Sequence, residues 1–210
     1  MNQLITKERV RALYVLKSEH ARGCPHCAPQ KAKLSMVFGE GNPDAKIMFI
    51  GEDPGEEEDK LGRPFVGRAG KLLDKQIEAM GLAREEVYIA NIVKCRPPDN
   101  RVPTPEEVRL CMPYLIGQIE IIKPMALVTL GATASKYLLD NPILAITRER
   151  GTWKMFRDIP LMPTYHPAYL LRSYTLENRK KVWDDLKKVL EKVGLRVPRS
   201  RSDFSGLVPK

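Results

Sequence analysis

Short apolar runs alternate with helically spaced apolar residues along this chain, and the order in which they come predicts its architecture. Lys46-Ile-Met-Phe-Ile50 is a brief continuous run met at once by glycine, which reads as a buried strand. Val87 to Val93, rich in β-branched residues, is a second strand, and Ala126-Leu-Val-Thr-Leu130 followed by Gly-Ala-Thr-Ala is again strand, glycine, helix. Trp153 to Thr164 predicts one or two further strands leading into Tyr165-His166-Pro167. Leu4, Val10, Leu13, Val15 and Leu16 recur with an irregular helical spacing that Gly23 and Pro25 end. Leu72 to Met80 predicts a helix, and residues 177 to 193 predict a basic amphipathic one. Thr104-Pro105-Glu106-Glu107 opens another, with Thr104 as N-cap, Pro105 at the first helical position and Glu107 closing a capping box. Residues 39 to 43, rich in Gly, Pro and Asn, read as a loop. Three strand-to-helix steps in one chain are βαβ order, so the fold class is α/β, with a parallel sheet covered by helices on both faces. Ligands bind such sheets outside the carboxyl ends of the strands, where the loops after residues 50, 93, 130 and 165 should converge.

Length and charge narrow this picture. At 210 residues the chain suits one domain with a sizeable core, expected over 1–195. The stretch from 196 to 210, with VPRSRSDFSGLVPK at its end, is basic and poor in periodicity and reads as a mobile tail. A formal charge of +9 favours a polyanionic partner, nucleic acid first. The N-terminus alternates charge with apolar residues and has no signal-peptide core, and no apolar run is long enough to span a bilayer. A cytoplasmic protein with no membrane partner is expected. Its thiols would stay reduced.

Four cysteines then need another use than disulfides. Cys24-Pro-His-Cys27 is a CxxC, Cys95 follows the second strand, and Cys111 lies in the capped helix. Three readings remain open on spacing: an iron-sulfur cluster on all four, a zinc ion on all four, or one CxxC with two buried thiols.

The segment GEDPGEEED puts six carboxylates into the eight positions 52 to 59 of this basic chain. Glu56, Glu57, Glu58 and Asp59 read as a solvated face. Glu52 and Asp53 differ, because they follow a buried strand directly and stand at the expected ligand edge. A carboxylate there repels phosphate, and stabilising positive charge that develops during a reaction would justify it; a Mg²⁺ site is the lesser alternative. Next, Gly62-Arg-Pro-Phe-Val-Gly-Arg-Ala-Gly70 brackets Phe65 with two arginines, so Phe65 is either core or a ring face for a base, and Arg63 and Arg68 are candidate phosphate contacts. His166 also follows a strand. Leu170-Leu171-Arg172 reads as a loop with two large apolar residues beside a positive charge, either core or a wedge for unstacking a duplex.

With these residues assembled, the chain resembles the family 4 uracil-DNA glycosylases, the iron-sulfur type. The likeness rests on GEDPGEEEDKLGRPFVGRAG, YIANIVKCRPPDNR, LVTLGATA and HPAYLLR in that order, and runs from about Cys24 to Lys192. It implies a three-layer α/β/α fold around a mostly parallel four-stranded sheet, and a [4Fe-4S] cluster on Cys24, Cys27, Cys95 and Cys111. It further implies that Phe65 stacks on uracil in a pocket bounded by Gly51 and Gly55, that Asn91 reads the pyrimidine edge, and that His166 donates to O2. The substrate would be uracil-containing DNA, single- or double-stranded, acted on by a monomer whose tail contacts replication or repair proteins. One departure stands out: the family usually has a small residue where this chain has Asp53, whereas family 1 enzymes carry aspartate there. Asp53 is therefore expected to orient water or stabilise the sugar cation, with Glu52 fixing the pocket. The family 1 tyrosine that excludes thymine is Gly55 here, which leaves Glu52 or a backbone contact for that task. No histidine-bearing insertion follows Cys95, so hydrolysis without a covalent adduct is expected. The rival reading is an inactive nucleic-acid-binding module of the same fold, and a metal-dependent nuclease is a third.

Overall fold

Successive side chains of β2 (Ile47–Gly51) point to opposite faces of one sheet, as a pleated strand requires: Ile47 and Phe49 enter one apolar cluster, Met48 and Ile50 another. The same division runs through β3 (Tyr88–Asn91), β4 (Ala126–Leu130) and β6 (Ile159–Thr164). Ile89, Val128 and Met162 join Phe49, while Tyr88, Leu127 and Leu161 join Met48. Both faces are covered, which is why these strands read as continuous apolar runs. These features come from a computed structural model, which describes residues 2–24 and 36–198. Cys27 and the stretch 199–210 lie outside the described residues.

The four central strands are parallel, with Phe49 level with Ile89 on one side and Val128 on the other. Two short antiparallel strands extend the expected four to six, in the order β1-β3-β2-β4-β6-β5. β1 (Glu40–Gly41) pairs with β3, inside the stretch read as a loop, and β5 (Lys154–Phe156) pairs with β6. A two-residue edge strand has no apolar run to announce it.

On the Phe49 face lie α3 (Arg68–Ala79), α7 (Pro167–Arg172) and α8 (Leu176–Lys192), through Leu73, Ile77, Leu170, Leu186 and Leu190. On the opposite face lie α4 (Pro105–Ile122) and α5 (Ala132–Leu138), and α1 (Asn2–Gly23) crosses α4, where Gly117 leaves room for the Leu16 side chain. The capping box of α4 is present: Glu107 N–H donates to Thr104 Oγ1 at 3.2 Å, and Thr104 N–H donates to Glu107 Oε2 at 2.8 Å. At the end of the described residues, Leu195 and Val197 rest against the Phe49-side cluster.

β2 sits between β3 and β4, so the chain leaves it in one direction and later returns on its other flank. The loops after β2 and β4 therefore part from each other, and that divergence opens a crevice at their carboxyl ends.

Candidate active site

Gly51, Asn91, Gly131 and His166 end or follow the four parallel strands, and all but Gly51 line a cavity of about 610 Å³. A Cβ on Gly51 would lie 2.4 Å from Asn91 Oδ1 and 2.5 Å from Phe65 Cζ, so glycine is what lets the amide and the ring meet. Asn91 is 1 % exposed, and its Oδ1 is buried without a hydrogen-bond partner. A buried acceptor left unpaired costs about 1–3 kcal/mol, a penalty that a ligand donor would remove.

Phe65 is core and cavity wall at once. Its ring belongs to the core cluster and also lines the cavity, 5.7 Å from the His166 ring and tilted 34° to it. Its backbone has φ 51°, a left-handed conformation unusual for phenylalanine, and the surroundings enforce it. Arg84 donates through Nη1 to the Phe65 carbonyl at 3.2 Å and through Nη2 to the Pro64 carbonyl at 2.5 Å, while Nε reaches Glu40 at 2.9 Å. A Cβ on Gly70 would lie 1.9 Å from the Phe65 carbonyl oxygen. Arg84 and Gly70 thus hold the ring in place, and neither role was visible in the sequence.

His166 caps α7, and its Nδ1 accepts from the Ala168 N–H at 3.0 Å. That bond leaves the ring proton on Nε2. Burial, with the Arg172 charge adding to it, lowers the pKa to about 4, so the imidazole is neutral at pH 7 and still a donor. Gly131, at φ 94°, allows this approach, since its Cβ would stand 3.0 Å from His166 Cβ.

Glu52, Asp53, Glu56 and Glu58 line the same cavity. Burial raises the Asp53 pKa to about 7, and the charges of Glu52, Glu58 and Glu107 add to the effect. Glu52 is likewise raised by burial, against the pull of a hydrogen bond from Thr133. The four-residue solvated face expected over 56–59 is only half so. Glu56 and Glu57 are exposed and pair with Lys60 in α2 (Glu56–Leu61), but Asp59 is buried. Glu58 Oε1 accepts from the Val66 and Gly67 N–H groups, both at 2.8 Å, and a Cβ on Gly55 would meet Glu58 Oε2 at 2.8 Å. Glu58 therefore fills the space beside Gly55, turned inward by the first turn of a short helix.

The family model described as the uracil DNA glycosylase superfamily matches residues 38–187. The chain belongs to that superfamily. A type-4 uracil-DNA glycosylase of Thermotoga maritima is 48 % identical over 179 residues, covering 84 % of this chain and 92 % of that protein. One from Sulfurisphaera tokodaii is 47 % identical over 181 residues, with 82 % and 81 % covered. A type-5 uracil-DNA glycosylase of Pyrobaculum aerophilum is 32 % identical over 148 residues, with 62 % and 64 % covered. The resemblance to the type-4 branch thus extends to most of the chain.

Within this superfamily chain, the residues expected to touch DNA are differently placed. Arg63 is exposed but paired with Glu40, donating through Nε at 2.7 Å and Nη2 at 3.0 Å. Arg68 is exposed at the start of α3, and Arg172 lines the cavity at the end of α7. The wedge reading needs correction. Residues 167–172 form a helix, not a loop, and that helix turns Leu170 into the core at 1 % exposure, leaving Leu171 half-buried beside it.

Cys24, at the end of α1, and Cys111, in α4, meet with His20, their donor atoms all within 4.8 Å of one another and all three residues buried. The backbone N–H of Lys94 also donates to Cys111. Cys95 is buried beyond β3 and disulfide-bonded in this structure, which departs from the reduced thiol expected of it. A buried group of soft and borderline donors, served by a backbone N–H, fits a metal site. Among the described residues no helix is long and apolar enough to cross a membrane.

Proposed function

We propose that this chain is a monofunctional uracil-DNA glycosylase: it takes uracil out of single- or double-stranded DNA and hydrolyses the N-glycosidic bond, leaving an abasic site. The observation that carries the reading is the unpaired, buried Asn91 Oδ1 in a pocket walled by the Phe65 ring and a neutral histidine. An amide there can accept from uracil N3–H and donate to O4, whereas cytosine offers the opposite pattern at both points. Rejection of a base that leaves such buried groups unpaired reaches about 10⁴–10⁵-fold. The cost of taking the nucleotide out of the stack is a few kcal/mol, repaid by stacking on Phe65 and by these bonds.

Bond cleavage sends negative charge to uracil O2 and positive charge to the sugar. The Nε2–H of His166, fixed by the Ala168 contact, donates to the developing oxyanion without needing a charged ring. Asp53, with its pKa near 7, orients the attacking water and stabilises the sugar cation, and Glu52, tied to Thr133, holds the loop. Glu58, beside Gly55, takes up the space that thymine's methyl group would need. Arg68 and Arg172 contact phosphates.

Cys24, Cys27, Cys95 and Cys111 would hold a [4Fe-4S] cluster, whose iron-thiolate bonds join α1, the loop after β3 and α4 as a structural brace. The enzyme acts as a monomer. Release of free uracil from a uracil-bearing oligonucleotide, with the strand intact until alkali, tests the whole reading. The activity should survive EDTA and fall by about 10²–10³-fold in H166A. Salt-sensitive DNA binding without uracil release would support an inactive module instead, and cleaved strands before alkali would support a nuclease.

A further inference from the structure

We propose that His20 is a positioning residue of the cysteine centre, donating a hydrogen bond from Nε2–H to the Cys111 thiolate and setting the cluster's reduction potential. The proposal rests on the cluster reading above. His20 lies in the last turn of α1, four residues before Cys24, and its carbonyl accepts the Cys24 N–H at 3.0 Å. The side chain is fully buried, and Nε2 stands 3.8 Å from Cys111 Sγ. Nδ1 faces the Met36 sulfur at 2.8 Å. A thioether is a weak acceptor and a metal-bound thiolate a strong one, so the ring proton belongs on Nε2, toward Cys111. Two tilted ring contacts hold the orientation: the Tyr114 ring lies 4.2 Å away at 52°, and the Phe38 ring 6.4 Å away at 43°.

On the cluster reading, with Cys95 reduced, four cysteines supply a full set for a cubane, so a fifth buried donor against one of them acts on the sulfur rather than on an iron. An N–H donated to a thiolate stabilises the more negative, reduced state and so raises the potential. It also locks the ligand's orientation, the usual work of partners behind a metal's direct ligands.

The test uses the full-length protein, purified without air, with iron and sulfide measured before anything else. His20→Phe keeps the ring packing and removes the donor, and His20→Gln restores an N–H near the same place. In His20→Phe the one-electron reduction equilibrium should shift toward the oxidised form by about tenfold, which is about 59 mV. Loss of iron to a chelator should be about 10-fold faster. His20→Gln should recover most of both. Pulsed EPR of the wild type with ¹⁵N-histidine should show the weak coupling of a hydrogen-bonded ring, a readout that needs no variant to fold. Iron-loaded His20→Phe with unchanged potential and release rate overturns the proposal, as does the strong coupling of a coordinated nitrogen. Wild-type protein with zinc or no metal overturns the cluster reading itself, and the proposal with it.

Discussion

Asp53 carries the sharpest residue-level expectations, because its carboxyl titrates near 7 in the folded chain and near 3.8 when unfolded. As the water-orienting base it must be ionised, so single-turnover rates should climb with pH through an apparent pKa of about 7. D53N should flatten that limb and slow turnover by about 10²-fold with little change in KM. The same shift fixes the sign of its effect on stability. A raised pKa means that the folded state keeps a proton the unfolded state has released, so stability falls as pH rises from about 4 to about 7 and stays lower above. D53N should therefore be more stable than wild type by about 2–4 kcal/mol at pH 8 and nearly equal to it below pH 3.5, as read by urea titration. Glu58 gives a second expectation: E58A should admit thymine, so release of thymine from a T:G duplex should appear where wild type shows none. His166 was marked by the strand before it, Phe65 by its flanking arginines and glycines, and Asn91 only by the family resemblance, and the structure brings all three to one cavity. Glu58 and Arg84 were not, since one hides in a run of carboxylates and the other acts on carbonyls and carboxylates that only the fold brings close.

Elements were legible where apolar rhythm was strong and long. The central strands, α3 and α8 came from such rhythm, whereas α4 came from its capping box at Thr104, which was readable to the atom. T104A should cost about 1 kcal/mol of stability by urea titration, with activity unchanged. What periodicity could not show is how elements are joined. Asp185 of α8 is fully buried, accepts from Thr164 Oγ1 at 2.6 Å and from Arg150 Nε at 3.0 Å, and so ties the last helix to the end of β6, next to His166. These partners are 21 and 35 residues away in sequence, a separation no local pattern spans. Removing one side of a buried pair strands the other, so D185A should lose about 3–5 kcal/mol, again by denaturant titration, and more than D185N.

For the whole molecule, the puzzle of an acidic pocket in a chain of charge +9 resolves into a division of labour. On the proposed function, Arg68 outside the cavity and Arg172 on its wall hold the phosphates, and the carboxylates inside face the reacting sugar. Binding should weaken steeply with salt, and R68A should lower the slope of log K against log salt by about one. R63A should do less, because Arg63 must first give up Glu40, although an exposed pair of that kind is worth only about 0–1 kcal/mol. Net charge pointed to the partner, and the order of strands to the edge where the cavity lies. Neither could say that one wall of the pocket depends on an atom that is missing. Gly51 has no side chain, and that is what lets Asn91 and Phe65 stand as close as they do. A single methyl placed there would wedge the amide and the ring apart, so G51A should still hold DNA by its phosphates yet release no nucleobase.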